Sequence, residues 1–159
     1  MNKKFKECLT EVYLGEQAGE MIFESLLATA GDDNQRYILS NMLQLETEGK
    51  AIMRPLLVKL GIPIEENKLL RDQGLQIAES FKEMSFTEKF ENIYQSVKNY
   101  YLPQYEELST LVDEEDSEAY YIANFMGEHE RSILLAADNI IKDKQDPVKP
   151  IRDLLKFPI

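Results

Sequence analysis

The stretch YIANFMGEHER, residues 121–131, contains the single histidine of the chain, His129. Apolar residues recur at helical spacing on both sides of it, for example Phe125 and Ala136. Because residues three and four positions apart share one face of a helix, His129 lies on the face that should pack against a core. We therefore expect a long helix, from about Ser117 to Ile141, with a buried histidine near its middle.

The rest of the sequence has the same helical period in three further segments. Helix one is expected over about residues 3–30, helix two over about 33–60, and helix three from the cap at Ser85 or Thr87, with a kink at Pro103. Residues 61–85 are long for a turn and suit a crossover along the length of a bundle, with a short helix around 75–84. The sequence thus predicts an all-α fold, a four-helix bundle with one long crossover between helices 2 and 3. It forms a single domain of residues 1–159 and ends in a C-terminal tail, residues 143–159.

Composition restricts the partners of this domain. The chain has 29 acidic and 18 basic residues and a net charge of -11, which would repel nucleic acid and anionic lipid. No apolar run approaches the roughly 18 residues of a membrane span. The lone cysteine, Cys8, is expected to be a small buried residue in a reducing compartment, so we expect a cytoplasmic protein. The apolar residues of the tail favour packing on the bundle or on a second subunit, and a homodimer is expected.

Carboxylates also lie on the apolar faces of the predicted helices. Glu16 and Glu20 lie in helix one, Glu46 in helix two, and Glu130 beside His129 in the last helix. An ionised carboxylate inside a bundle is costly unless it is paired, protonated or bound to a metal. Each of these residues lies near the middle of its helix, so they are expected to share one layer. These five residues are the candidate metal ligands, and the hydroxyls of Tyr101 and Tyr105 could join them.

Three stretches carry a resemblance to the ferritin-like superfamily, including small uncharacterised bacterial members: YLGEQAGE at 13–20, LETEGK at 45–50 and HE at 129–130. The resemblance covers roughly residues 3–141. In that family the middle of the bundle binds two iron or manganese ions, through a Glu from each of two helices and a Glu-x-x-His from each of the other two. It implies iron or manganese as the cofactor, with Glu16 or Glu20 as the first-helix ligand, and it implies no particular activity.

The remaining positions of the family pattern are matched in part. Glu46 matches the Glu of the second-helix motif, and Gly49 stands where that motif has its histidine. His129 matches the fourth-helix histidine, and Met126 replaces its partner Glu. Glu106 could stand for the third-helix carboxylate.

The same residues also allow a metal-free protein. Glu16 and Glu20 could pair with Lys50 or Arg54, with His129 hydrogen-bonded to one of the two carboxylates. The bundle would then be an interaction or dimerisation protein that has lost its metals. On this interpretation Glu48, elsewhere on helix two, is a solvated residue.

A third hypothesis is a small-molecule binder or metal-free enzyme. Gly15, Gly19 and Gly49 lie inside predicted helices, where glycine costs about 1 kcal/mol relative to alanine, and they leave space for a ligand or a close neighbour. A carboxylate paired with His129 could then act as acid and base.

Overall fold

The computed structural model describes residues 3–159, and this part of the chain is helical without strands. The helices are α1 (Lys3–Ala28), α2 (Asp33–Lys59), α3 (Lys68–Ser80), α4 (Phe86–Ser96), α5 (Leu102–Thr110), α6 (Ser117–Ile141) and α7 (Lys149–Arg152), and a π-helical turn (Val97–Tyr101) joins α4 to α5. The all-α prediction is confirmed. Within residues 3–159, no helix has the length and apolar content needed to cross a membrane.

Local side-chain contacts explain where the main helices begin. Asp32 accepts a hydrogen bond from the Gln35 amide at 2.8 Å and caps α2. Of the two caps that the sequence allows, the structure has Ser85, which forms a reciprocal capping box with Glu88 at the start of α4. Asp116 caps α6, because its side chain accepts a hydrogen bond from the backbone amide of Ala119. Each cap satisfies a backbone donor that the first turn of a helix leaves without a partner.

The apolar core is divided into two clusters along the helices. One cluster contains Phe23 of α1, Leu45 of α2 and Ile133 of α6, and the other contains Val12, Met53 and Met126 of the same three helices. Buried polar residues lie between the clusters on each helix, at positions 16 and 17, at 46, 48 and 50, and at 129 and 130. The polar side chains therefore form a layer that separates two apolar halves.

The connection between α2 and α4 differs from the sequence prediction. The short helix expected around residues 75–84 is instead α3, which begins earlier, at Lys68, and ends at Ser80. Asn67 caps it, and the buried amide of Gln17 on α1 accepts from the Asn67 backbone at 2.7 Å and donates to the Glu65 carbonyl at 3.2 Å. These contacts with α1 determine where α3 begins, and the apolar period of the sequence does not report them.

Helix α3 approaches α1 most closely at Gly74. A Cβ atom at this position would lie 2.5 Å from the Ala18 carbonyl oxygen, which belongs to the backbone and cannot move independently. We expect Gly74→Ala to lower the free energy of unfolding by about 1–3 kcal/mol, because overpacking outweighs the gain in helix propensity. Urea denaturation measures this difference.

Gly127 provides the matched control for that substitution. It lies inside α6, and the nearest neighbour of an added Cβ would be the Arg131 guanidinium at 3.7 Å. Gly127→Ala should therefore stabilise the protein by up to about 1 kcal/mol. Equal effects of the two substitutions would contradict the close contact at Gly74.

The third predicted helix is interrupted before Pro103. The Leu102 amide donates to the carbonyl of Val97, five residues earlier, which closes a π-helical turn. Pro103 has no amide hydrogen and lies in the first turn of α5, where that donor is not needed. The extra residue of the π turn changes which side chains of α5 face α1, and such turns are frequent at functional sites.

The C-terminal tail packs on the helices of its own chain. Val148, Ile151 and Leu155 are buried, whereas Phe157 remains 73% exposed. Glu48 of α2, which was expected to be solvated, is buried and accepts hydrogen bonds from the backbone amides of residues 156 and 157 at 2.7 and 2.9 Å. The prediction for Glu48 was wrong because its partners come from the far end of the chain.

Glu48→Gln tests this attachment. A glutamine side chain has a single acceptor oxygen, so one of the two backbone amides loses its partner. We expect a loss of about 1–3 kcal/mol in stability and faster hydrogen exchange at Lys156 and Phe157. Glu128→Gln, at an exposed ion pair, is the control. Unchanged exchange at both tail amides would contradict the role of Glu48.

Candidate metal centre

Three buried residues from α1 and α6 meet in the polar layer. The Nε2 atom of His129 lies 3.1 Å from Oε2 of Glu16, and its Nδ1 atom lies 3.6 Å from Oε2 of Glu130. Glu16 and His129 are fully buried and Glu130 is 4% exposed. One ligand atom from each residue lies within 4.8 Å of the others, a spacing that can accommodate a metal ion. Within residues 3–159, it is the one cluster of at least three His, Cys, Asp or Glu residues whose ligand atoms lie this close together.

The hydrogen bonds of His129 favour one tautomer of its ring. Nε2 lies 3.3 Å from the backbone carbonyl oxygen of Leu45, which can only accept, so a proton on Nε2 satisfies this contact. Nδ1 is buried and has no hydrogen-bond partner among the described residues, and the same is true of Oε2 of Glu16. A metal-ligating histidine commonly donates its other ring N–H to a carbonyl or carboxylate. In its neutral form, which is the form that binds a metal, the ring thus presents a free lone pair on Nδ1, beside Glu130.

The other carboxylate oxygen of Glu16 is held by Tyr105. The Tyr105 hydroxyl donates to Oε1 of Glu16 at 2.6 Å, and its ring stacks near His129 with the centroids 6.2 Å apart. Tyr105 is 2% exposed, so this hydrogen bond is shielded from water. Tyr105 thereby fixes the direction of Glu16, and the hydroxyl that the sequence suggested is present in the site.

Glycines in α1 and α2 provide the space that the carboxylates occupy. A Cβ atom at Gly49 of α2 would lie 2.1 Å from Oε2 of Glu16, and one at Gly19 of α1 would lie 2.6 Å from Oε2 of Glu46. The glycine of α2 therefore makes room for a carboxylate of α1, and the glycine of α1 makes room for a carboxylate of α2. Gly49, at the position where the family motif has a histidine, makes room here for the carboxylate of Glu16.

Glu46 is buried beside this group but stands outside it. Its side chain is 5% exposed and has no hydrogen-bond or ion-pair partner among residues 3–159. Burial, and then the neighbouring charge of Glu16, raise the pKa of Glu46 well above its usual value. The charge of His129 opposes these effects only in part, so Glu46 is a carboxyl group whose ionised form has no direct partner among the described side chains.

Glu20, which was also a candidate ligand, is engaged in a separate ion-pair network. It contacts Lys50, which is 3% exposed, and accepts from the Thr47 hydroxyl at 2.7 Å. Lys50 also donates to Glu66 at 2.5 Å, and Arg71 lies 3.5 Å from Glu20. The pairing of Glu20 with Lys50, one part of the metal-free interpretation, is therefore present. Glu16 has no such partner and belongs to the histidine group.

Two other positions of the family pattern lie outside the group. Glu106, the suggested third-helix carboxylate, is 43% exposed at its side chain and pairs with Arg131 at 2.8 Å. Met126 is fully buried in the apolar cluster next to the layer. The residue of α5 that reaches the site is Tyr105, one position before Glu106.

The charges of the group act strongly on one another. Burial alone would lower the pKa of His129, but Glu16 and Glu130 raise it well above its usual value. Burial also raises the pKa of Glu130, and His129 opposes that effect in part. The pKa of the Tyr105 phenol is raised by burial and then by Glu16, so it stays protonated and donates. Without a metal, this layer must retain protons to limit its negative charge.

Glu46→Gln should reveal that protonation in the metal-free protein. The pKa of Glu46 is raised in the folded state, so its stabilising contribution is complete below the unfolded value of about 4.3 and is lost as pH rises through the folded value. The variant should therefore gain stability relative to the parent as pH rises through that window, by about 1.4 kcal/mol per pH unit.

Urea denaturation of both proteins at several pH values between 5 and 8, with EDTA present, measures the gain. Glu115→Gln, on the exposed connection between α5 and α6, is the control. A stability difference between Glu46→Gln and the parent that stays constant over this range would contradict the raised pKa.

Sequence reasoning missed one contributor to the site. The Leu45 carbonyl contacts Nε2 of His129, and a backbone atom of an apolar residue gives no signal in the sequence. The helix-interior glycines did give a signal, because their cost predicted a close neighbour. The sequence could not say that the neighbour of Gly15 is Tyr105, whose hydroxyl would lie 2.8 Å from an added Cβ.

Comparison of the chain with protein-family models, curated proteins and solved structures finds no match. The candidate site is therefore defined by the contacts, burial and charges of its own residues.

Proposed function

We propose that this protein is a ferritin-like metal-binding protein that holds one manganese or iron ion through Glu16, His129 and Glu130. The observation that carries the proposal is that two buried atoms of this group, Oε2 of Glu16 and Nδ1 of His129, make no hydrogen bond, although each lies within 4 Å of a charged neighbour in the group. Buried polar atoms are normally satisfied, and such orphans point to an absent ion or water. The Leu45 carbonyl supports it by holding the proton on the opposite ring nitrogen.

The donor set favours particular metals. Two carboxylates and one imidazole are oxygen-rich and contain no thiolate, which suits manganese or iron better than copper(I). A divalent ion would also offset the charges of Glu16, Glu130 and the neighbouring Glu46. When bound, such an ion can act as a Lewis acid or support redox chemistry. The residues of this chain would supply a dry surrounding, with Tyr105 orienting Glu16.

The proposed fold is a four-helix bundle. Its helices are α1, α2, the α4–α5 pair and α6, and α3 lies on the long crossover between the second and third. The proposal is supported by the contacts of α1 with α2 and α5, and of α6 with α2, α4 and α5. The polar layer at mid-height supports it too, because cofactor sites of such bundles lie between facing helices.

Elemental analysis tests the proposed function. The parent protein, purified without a metal-affinity tag and loaded anaerobically with Mn(II) or Fe(II), should contain close to one ion per chain. Glu16→Ala should lose it, whereas Glu20→Ala should retain it, because Glu20 lies in the ion-pair network. Absence of manganese and iron from the loaded parent, or equal loss in both variants, would overturn the proposal.

A metal-free polar layer is the second candidate, and one observation favours it. Both ring nitrogens of His129 face a carboxylate, so an imidazolium could bridge Glu16 and Glu130. The protein would then be an interaction or dimerisation module, and a homodimer remains a prediction. Metal analysis separates the two candidates, since the imidazolium layer needs no ion.

A further inference from the structure

A cavity of about 80 Å³ lies beside the polar layer and is lined by residues of α1 to α6 and of the π-helical turn. Its wall is mostly apolar, with side chains that include Ile22, Phe23, Ile77, Phe81 and Ile93. Gly15 and Gly19 contribute bare backbone from α1. A cavity of this composition suits the hydrocarbon part of a small ligand.

The polar groups at the cavity wall have one sign of charge. Glu46 and Glu130 are the ionisable acids that line it, and no Lys, Arg or His is among its lining residues, all of which the structure describes. Tyr101 and Tyr105 add two phenols. An anionic ligand would therefore meet two carboxylates without a compensating cation.

Glu46 is the group in this wall that lacks a partner. It is 5% exposed, and no described residue donates to it or forms an ion pair with it. Its carboxylate lies against Gly19, another lining residue, at a distance of 2.6–2.8 Å from the position of an added Cβ. Ionisation of a buried carboxyl group at the end of an apolar cavity is costly until a donor or a cation reaches it, and a bound cation favours the ionised form.

We propose that this cavity binds a small primary amine with an apolar body. Its ammonium group donates to the Glu46 carboxylate, and its hydrocarbon part lies against Ile77, Phe81 and Ile93. An ammonium group supplies three donors and a positive charge, so it satisfies Glu46 more fully than a hydroxyl can. The proposal goes beyond metal binding, because Glu46 stands outside the group formed by Glu16, His129 and Glu130.

Calorimetric titration of the full chain, treated with EDTA, tests the site with three probes of equal chain length: n-butylamine, n-butanol and butyrate. We expect the amine to bind about 10- to 100-fold more tightly than the alcohol, as for a hydrogen bond to a charged group. Glu46→Gln should remove that advantage and leave the affinity for n-butanol unchanged. Equal affinities of amine and alcohol in the parent, or tighter binding of butyrate, would overturn the proposal.

A second variant locates the bound probe. Ile77→Trp adds volume to the apolar part of the cavity wall without changing a carboxylate, so it should abolish binding of both amine and alcohol. Retained amine binding in this variant would place the amine elsewhere and overturn the proposal. His129→Gln should lose the metal but still bind n-butylamine, so failure of the amine site and failure of the metal site give different results.

Discussion

His129→Gln is expected to lower the affinity for Mn(II) by at least about 100-fold. Loss of a residue that only hydrogen-bonds to a metal ligand lowers metal affinity by up to about 100-fold, and loss of a ligand itself should cost at least as much. Glutamine is neutral and can still donate to the Leu45 carbonyl, but it has no imidazole nitrogen for the metal. In the metal-free protein, Glu16 also loses its partner at 3.1 Å. Removal of one member of a buried ion pair costs about 3–5 kcal/mol.

Two measurements on this variant separate binding from folding. Equilibrium dialysis with Mn(II) gives the affinity, and urea denaturation with EDTA gives the stability. Ser132→Ala is the matched control, because Ser132 is buried one turn further along α6 and donates only to the His129 carbonyl. An unchanged Mn(II) affinity in folded His129→Gln would remove His129 from the ligand set.

Gly49→Ala is expected to disable the centre without changing any candidate ligand. The added Cβ would lie 2.1 Å from Oε2 of Glu16 and 3.1 Å from Nε2 of His129, so the Glu16 carboxylate must move. Tyr105 holds the other oxygen of Glu16, and the surrounding layer is buried, so little space is available. We expect Mn(II) affinity to fall about 10- to 100-fold.

The same substitution should lower stability in spite of its higher helix propensity. Overpacking lowers the free energy of unfolding by about 1–3 kcal/mol, whereas replacing a helical glycine by alanine raises it by about 1 kcal/mol. Gly127→Ala, whose new Cβ would meet the Arg131 guanidinium at an ordinary contact distance of 3.7 Å, should retain Mn(II) affinity and gain stability. If Gly49→Ala bound Mn(II) as the parent does, the close packing of Gly49 on Glu16 would not be needed for the site.

Helical periodicity was enough to predict the long helices and the buried histidine. Apolar residues at three- and four-residue spacing define α1, α2 and α6, and their predicted ends lie within about two residues of those observed. His129 is fully buried, as its position on the apolar stripe predicted. Periodicity succeeds here because each long helix has one face that packs against the others.

Contacts between distant segments could not be predicted in this way. Glu48 is buried because the tail at residues 156–157 donates to it, and α3 begins at Lys68 because Asn67 caps it and Gln17 holds the adjoining backbone. Periodicity describes one helix at a time and contains no information on such partners.

Helical periodicity also predicted part of the candidate site. Burial of Glu16, Glu46 and Glu130 followed from their place on apolar faces, but the sequence could not separate Glu20 from them. Glu20 lies one turn beyond Glu16, yet it pairs with Lys50 and is placed in a different network. Which carboxylate meets the histidine depends on the rotation of each helix, which only the packed structure provides.

In the proposed centre, a metal ion binds directly to His129. Pulsed electron paramagnetic resonance of the Mn(II)-loaded parent measures this most directly, because a coordinated imidazole couples its nitrogen nucleus to the electron spin of the metal. We predict bound Mn(II) with a nitrogen coupling in the parent and loss of that coupling in His129→Gln. No bound Mn(II), or a nitrogen coupling that persists in the variant, would contradict the account.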